Sequence, residues 1–271
     1  MAVSLAMPIP SDITPEKIQS LLTGRVIGRH LRVVAEIGST NDAAMAAGRA
    51  GEPEGLAILA DQQAGGRGRL GRSWASLPGL GIYTSILLRP PVPPLLAPLL
   101  TLMAGLATAE AIEAVGQMTL VLKWPNDVLC DGRKVAGILT EMATIGQQIG
   151  QVAVGVGINV RHRATDFPAD VTDTATSIEL AVSRPVDRGE MAATLYNAMD
   201  RWYEVFCHRG TDSILQQARR RTATLGRPVT VLADDQRWRG IALDLDTDGA
   251  LLVRDEAGAV RRVLADDVSI R

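Results

Sequence analysis

Residues 62–74, QQAGGRGRLGRSW, interleave four glycines (65, 66, 68 and 71) with three arginines, Arg67, Arg69 and Arg72. Glycines let backbone N–H groups approach a ligand, and arginines add permanently charged planar forks that fit phosphate and carboxylate. Such a loop suits an anionic ligand; a solvated surface loop is the plain alternative. Gly66 to Gly71 also satisfies G-x-G-x-x-G, the dinucleotide fingerprint. That reading fails on context. The segment after it, RSWASLPGLG, leads into a strand-like run instead of opening a helix, and RPPVPP stands where an acidic ribose partner belongs. No Gly-Lys-Ser/Thr follows, so a P-loop fails as well.

Three further clusters carry polar chemistry. KWPNDVLCDGRKVAGILTE, residues 123–141, offers Lys123 and Lys134 on two arms of a hairpin, with Asn126 and Asp127 after a proline. Lysines act as point charges toward phosphate, and a nearby Asp can accept a proton or accompany Mg²⁺. Each taken singly is also an ordinary surface charge, and Trp124 is as readily core as ligand wall. GSTND supplies Ser39, Thr40 and Asn41, which equally read as a helix cap. In VAVGVGINV, Gly155 and Gly157 let a strand approach a neighbour or ligand closely.

The elements around these clusters mix helices and strands. SDITPEKIQSLLTG reads as a short helix with Thr14 as N-cap, Pro15 in its first turn and Gly24 at its end. HLRVVAEI, GLAILADQQ and LGIYTSILL have strand character, GSTNDAAMAAGRAG starts a helix, and residues 95–116 form a long apolar helix. TLVLKWPNDVLC, KVAGILTEM and GQVAVGVGINV read as three strands, with Asp131-Gly132 as a tight turn between the first two. Leu195, Met199, Trp202, Tyr203 and Phe206 fall at helical spacing and read as core. After Thr222–Gly226 come four or five short strands with glycine turns, a small β-barrel or sandwich. Adjacent hairpins without βαβ alternation predict an α+β fold, a catalytic-sized domain over 1–222 and a β domain over 223–271.

Composition narrows the classes. Two cysteines and three histidines show no metal-ligand spacing, so neither a disulfide framework nor a zinc cage is expected, and a reducing cytoplasm is the natural compartment. A formal net charge of −2 is unlike a general nucleic-acid binder. The N-terminus has no secretory pattern, and the apolar run Leu95 to Ala109 is shorter than the ~20 residues of a membrane span.

The ordered set STN, QQAGGRGRLGRSW, KWPNDV, KVAGIL and GVGINV, from about residue 36 to 160, resembles biotin–protein ligases, the biotin–[acetyl-CoA carboxylase] ligases. The C-terminal GRPVTV…GIALDLDTDGALLV resembles that family's small SH3-like domain. The resemblance implies a mixed-sheet ligase domain followed by an SH3-like barrel. It also implies that biotin is activated by MgATP to biotinyl-5′-AMP and passed to a lysine of a biotin carboxyl carrier protein. Such chemistry needs no enzyme nucleophile; it needs fixed positive groups where a carboxylate meets an anionic phosphate. By position, Ser39, Thr40 and Asn41 match the biotin-contacting segment and Gln63 a further biotin contact. Arg67, Gly68 and Arg69 match the biotin and adenylate loop, with Arg72 on its adenylate side and Trp74 packing around the adenine. Lys134 matches the lysine between biotin's carboxyl end and the phosphate, and Gly137 follows it. Lys123, Asn126 and Asp127 match the segment near ATP, metal and the incoming lysine. Lys134, Arg69, Asp127 and Lys123 are thus the expected catalytic set, Asp127 helping to deprotonate the acceptor, and the loop a clamp that orders over the adenylate.

Two departures stand out: Leu70 replaces a frequent arginine, and the final ADDVSIR differs from the usual Gly-Glu-containing ending. Residues 1–38 leave little room for the winged helix-turn-helix that some relatives carry, so no DNA-binding role is expected. The rival readings are a lipoate–protein ligase, which shares fold and adenylate chemistry, and a non-catalytic biotin-binding regulator. Homodimerisation stays open, since no interface is marked.

Overall fold

Residues 8–233, 236–264 and 267–270 are described by the computed structural model. In chain order the elements are α1 (Pro15–Ser20), β1 (Leu31–Ile37), α2 (Thr40–Arg49), β2 (Ala57–Gln63), β3 (Gly81–Leu88), α3 (Ala97–Gly116), β4 (Val121–Lys123), β5 (Asp127–Cys130), β6 (Arg133–Ile145) and β7 (Gln148–Asn159). Then follow α4 (Ile178–Val182), α5 (Arg188–His208), α6 (Asp212–Arg221), β8 (Pro228–Ala233), β9 (Gln236–Leu245), β10 (Leu251–Asp255), β11 (Val260–Val263) and β12 (Asp267–Ile270).

Seven strands form one mixed sheet in the order β1-β2-β3-β7-β6-β5-β4, parallel only between β1 and β2. Alternation along the strands gives this sheet two unlike faces. On one, Ile82, Ile86, Ile138, Val154, Val156 and Ile158 are buried against α3 and α5. α3 is long and apolar enough to cross a membrane, yet 67% of its most apolar window is buried, so it serves here as the core helix. The opposite face carries Gly137 and Leu139 on β6, Gly155 and Gly157 on β7, and Tyr83 and Ser85 on β3, with α2 packed over part of it. Where Gly137, Gly155 and Gly157 interrupt its side chains, this face is left open to a ligand.

Five antiparallel strands, β11-β10-β9-β8-β12, make the C-terminal domain, the small β unit expected after the ligase domain. Trp124 sits at the seam: its backbone N–H donates to Thr224 Oγ1 (3.0 Å) and its indole N–H to the Gly249 carbonyl (3.0 Å). Of the divergent ending, Ala265, Asp266 and Arg271 lie outside the described residues, and Asp267–Ile270 forms β12.

The structure alters three expectations. TLVLKWPNDVLC is not one strand: Trp124, Pro125 and Asn126 turn the chain between β4 and β5, placing Lys123 opposite Asp127. α1 stops at Leu21, before Gly24, in a tightened last turn where the Leu21 N–H donates to the Ile18 carbonyl and the Leu22 N–H to the Gln19 carbonyl. α4 and α6 were not anticipated; Ser177 caps the first through its side chain, and Ile214, Leu215 and Ala218 bury the apolar stripe of the second.

Candidate active site

A cavity of about 630 Å³ opens on the glycine face. Each candidate named from the sequence lies on its wall: Ser39, Thr40, Asn41, Gln63, Arg67, Gly68, Arg69, Arg72, Trp74, Lys123, Asn126, Asp127, Lys134 and Gly137. This volume falls within the range of pockets that enclose small organic ligands.

One end is a neutral hydrogen-bonding cradle. Ser39 is the N-cap of α2, its side chain accepting from the Asp42 N–H, so the next two residues start the helix facing the sheet. Gln63 Oε1 accepts from the Thr40 backbone N–H (2.8 Å) and hydroxyl (3.0 Å), while Gln63 Nε2 donates to Ser76 Oγ (2.9 Å). Asn41 is buried; its Nδ2 donates to the Leu139 carbonyl (3.2 Å) and Glu141 Oε2 (2.7 Å), and its Oδ1 accepts from Ser85 Oγ (2.5 Å). Gly155 makes room for it, since a Cβ there would stand 2.3 Å from Asn41 Oδ1. Ser39 thus caps the helix, as one reading of GSTND has it, while Thr40 and Asn41 line the cavity.

The other end is cationic. β5 and β6 pair with an extra residue on β6, Val135, so that Ala136 faces Val128 while Lys134 faces Leu129. Residues three apart point to opposite faces in a regular strand; the bulge restores Lys134 to the face of Gly137. Lys134 Nζ lies 2.5 Å from Asp127 Oδ1, with Lys123 Nζ 4.0 Å from Asp127 Oδ2. It also sits 5.3 Å from the centroid of the Trp74 ring. That indole lies over Gly137 and Gly157, paired partners in the sheet, where added Cβ atoms would meet it at 2.9 and 2.5 Å. Trp74 Nε1 is buried beside Gly157 and has no hydrogen-bond partner among the described residues. Asn126 Nδ2 donates to the Ile138 carbonyl (2.8 Å), holding the turn against β6, and Arg69 reaches Asn126 Oδ1 at 3.4 Å.

The glycine–arginine loop is folded on itself in this structure. Gly68 N–H donates to the Arg72 carbonyl (2.7 Å), Trp74 N–H to Gly66 (2.9 Å), and Gly65 N–H to Gly38 (2.8 Å). Leu70 adopts φ 56°, a left-handed conformation rare outside glycine and asparagine, and its side chain is exposed. Arg67 was expected on the ligand; here its guanidinium bridges Asp42 (2.6 and 2.7 Å) and Glu141 (3.0 and 3.0 Å). The Arg67 hydrogen bond holds the Asp42 carboxyl below the usual carboxylate range, and Asp42 in turn raises the Arg67 guanidinium.

Residues without any sequence motif complete the wall. His162 and Phe167 stack at 5.3 Å, and Pro168, Asp170, Val171, Thr174 and Ala175 continue the same lining. This segment is tied to the site by Lys134 N–H to Thr174 O (2.7 Å) and Thr176 N–H to Lys134 O (2.9 Å). Burial pushes the His162 imidazole down to about 4 against a smaller opposing pull from Asp166. Its Nε2 meets Tyr83 Oη at 3.3 Å. Among the described residues no group of three His, Cys, Asp or Glu is placed to hold a metal, and Asp127 is a single carboxylate already paired with Lys134.

Residues 35–159 match the Biotin/lipoate A/B protein ligase family, the class that the open glycine face and cationic end suggest. Residues 224–271 match the biotin protein ligase C-terminal domain, and the chain belongs to the biotin protein ligase family. It is 37% identical over 251 residues to the biotin–[acetyl-CoA-carboxylase] ligase of Mycobacterium tuberculosis, covering 89% of this chain and 88% of that one. It is 32% identical over 261 residues to the bifunctional ligase/repressor BirA of Bacillus spizizenii, covering 96% of this chain and 80% of that one. The solved biotin protein ligase from Aquifex aeolicus in complex with biotin and ATP aligns with a TM-score of 0.76 at 29% identity, covering 90% of this chain and 99% of that one.

Proposed function

We propose that this chain uses MgATP to join biotin to a lysine of a biotin carboxyl carrier protein, in two steps within the cavity. In the first, a carboxylate oxygen of biotin attacks the α-phosphorus, the bond to pyrophosphate breaks, and biotinyl-5′-AMP remains. In the second, the acceptor amine attacks the acyl carbon, the bond to AMP breaks, and the amine gives up a proton. The observation that carries this reading is the pairing of a neutral amide-and-hydroxyl cradle with a cationic end around Lys134 in one cavity.

The roles follow from the chemistry. Ser39, Thr40, Asn41 and Gln63 would hold the uncharged ring system of biotin, whose urea needs hydrogen-bond partners and no charge. Lys134 and Arg69 would meet the carboxylate and α-phosphate, offsetting the repulsion between two anions. Lys123, Asn126 and Arg72 would bear on the nucleotide phosphates, and Trp74 would wall the adenine. Asp127 orients Lys134 through their ion pair and would receive the acceptor's proton. Residues 1–222 carry this chemistry; 223–271 buttress the KWPND turn through Trp124. A carrier of acetyl-CoA carboxylase is the acceptor favoured by the names of the relatives in Mycobacterium tuberculosis and Paracoccus denitrificans. The same reading places the protein in the cytoplasm, where ATP and such carriers meet and where Cys130 and Cys207 stay as thiols.

The test is an acid-quenched incubation with MgATP and equimolar biotin, lipoate and octanoate, read by mass spectrometry. Biotinyl-adenylate alone is expected. Lipoyl- or octanoyl-adenylate would move the chain to lipoate chemistry, and no adenylate from folded protein would leave a binding protein.

A further inference from the structure

We infer that Asp42 and Glu141 are positioning residues. They act through Arg67 to latch the glycine–arginine loop over the cavity, so that retention of the acyl-adenylate depends on two carboxylates outside the cavity wall. The inference rests on the function proposed above, but its first observation does not. Arg67 is one of three loop arginines expected at the ligand, yet its fork is taken by Asp42 on the first turn of α2 and by Glu141 on β6. Two parallel hydrogen bonds to Asp42 give the contact direction as well as attraction. Arg69, two residues on, reaches instead toward Asn126 at the cationic end. The two arginines thus divide the work: one closes the loop onto the scaffold, the other faces the reacting groups.

The latch is also wired to the cradle. Glu141 Oε2 accepts from Asn41 Nδ2 (2.7 Å) while Glu141 also receives Arg67, and Asn41 Oδ1 accepts from Ser85. The residue that would sense biotin therefore shares a carboxylate with the residue that holds the loop. The loop's backbone is tied to the end of β1 only at its start, where the Gly65 N–H donates to the Gly38 carbonyl (2.8 Å); further along, the Gly68–Arg72 and Gly66–Trp74 bonds are internal to it. Arg67 adds a side-chain tie from the middle of the loop to α2 and β6. A mixed anhydride hydrolyses if water enters or if it leaves, so a closed loop is needed between the two steps.

The test uses Asp42→Asn and Glu141→Gln, with Asp42→Glu as the conservative control, in the full chain. Two readouts are taken: trypsin cleavage at the loop arginines in ligand-free protein, and the share of biotinyl-AMP found free in a rapid filtrate after one turnover. Loss of a half-exposed ion pair is expected to raise each by about two- to fivefold in the Asn and Gln variants, and Asp42→Glu to restore most of both. The melting temperature, read in parallel, separates a loosened loop from a loosened fold. Unchanged cleavage and unchanged retention in both variants would overturn the latch. Faster cleavage with unchanged retention would overturn its role in guarding the adenylate. If the wild-type protein makes no adenylate, the functional reading fails while the cleavage comparison still decides whether the latch exists.

Discussion

Gly157→Ala puts the architecture of the site to a quantitative test. A Cβ at this position would stand 2.5 Å from Trp74 Cε2 and 2.7 Å from its Cζ2 and Nε1. Carbon atoms pack comfortably at about 3.5–4.0 Å, so the indole must retreat by about 1 Å, into the cavity. Trp74 is only half-buried and belongs to a loop, so it can yield, and the stability cost should be about 1 kcal/mol. Function should suffer more. The indole packs beside Lys134 Nζ (5.3 Å), and a displacement of about 1 Å at a reacting centre costs on the order of 100-fold. Single-turnover formation of biotinyl-AMP should slow by about 100-fold, while the melting temperature falls by only about 2–4 °C. A rate within twofold of wild type would refute the claim that the paired glycines exist to seat this tryptophan.

Other predictions follow from the same geometry. Gly155→Ala presses on Asn41, which is buried and held by three partners and cannot retreat; unfolding in denaturant should show a loss of about 2–3 kcal/mol, with biotin binding weakened. His162 is kept neutral by burial, with a folded value of about 4, below the ordinary histidine value. Above the unfolded value of about 6.5 both states are neutral; as pH falls toward 4 only the unfolded chain takes the proton, so stability drops by up to about 3 kcal/mol across that window. His162→Asn should flatten this part of the stability profile, and an equal slope in both proteins would show that other groups set it. Asp127→Asn should slow transfer from preformed biotinyl-AMP to a carrier by about tenfold or more, most strongly near neutral pH; an unchanged transfer rate removes Asp127 as proton acceptor.

The motifs were legible because the chemistry of their residue types is unusual: clustered arginines among glycines, and two lysines flanking a Pro-Asn-Asp turn. The α+β class followed from adjacent strand-like runs with tight turns. Positional effects were not legible. Lys134 shares a face with Gly137 only because Val135 bulges out of the ladder, and nothing in KVAGIL marks that residue as extra. Asp42 and Glu141 look like ordinary surface acids until the fold brings Arg67 between them. His162 to Ala175 line the cavity through tertiary placement, carrying no pattern of their own. α6 could have been found, since Ile214, Leu215 and Ala218 fall on one helical face ahead of the three arginines. The partners of Gly155 and Gly157 also lay beyond reach: close approach was foreseeable, but Asn41 and Trp74 as the approaching groups were not.

The most direct test of the central claim, that fixed cations let two anions meet, is single-turnover adenylation by Lys134→Met alongside biotin binding measured without ATP. The account predicts a fall in adenylation of about 100- to 1000-fold with biotin affinity changed far less, because the lysine acts where charge develops. Adenylation within threefold of wild type, or a loss confined to biotin affinity, would contradict it.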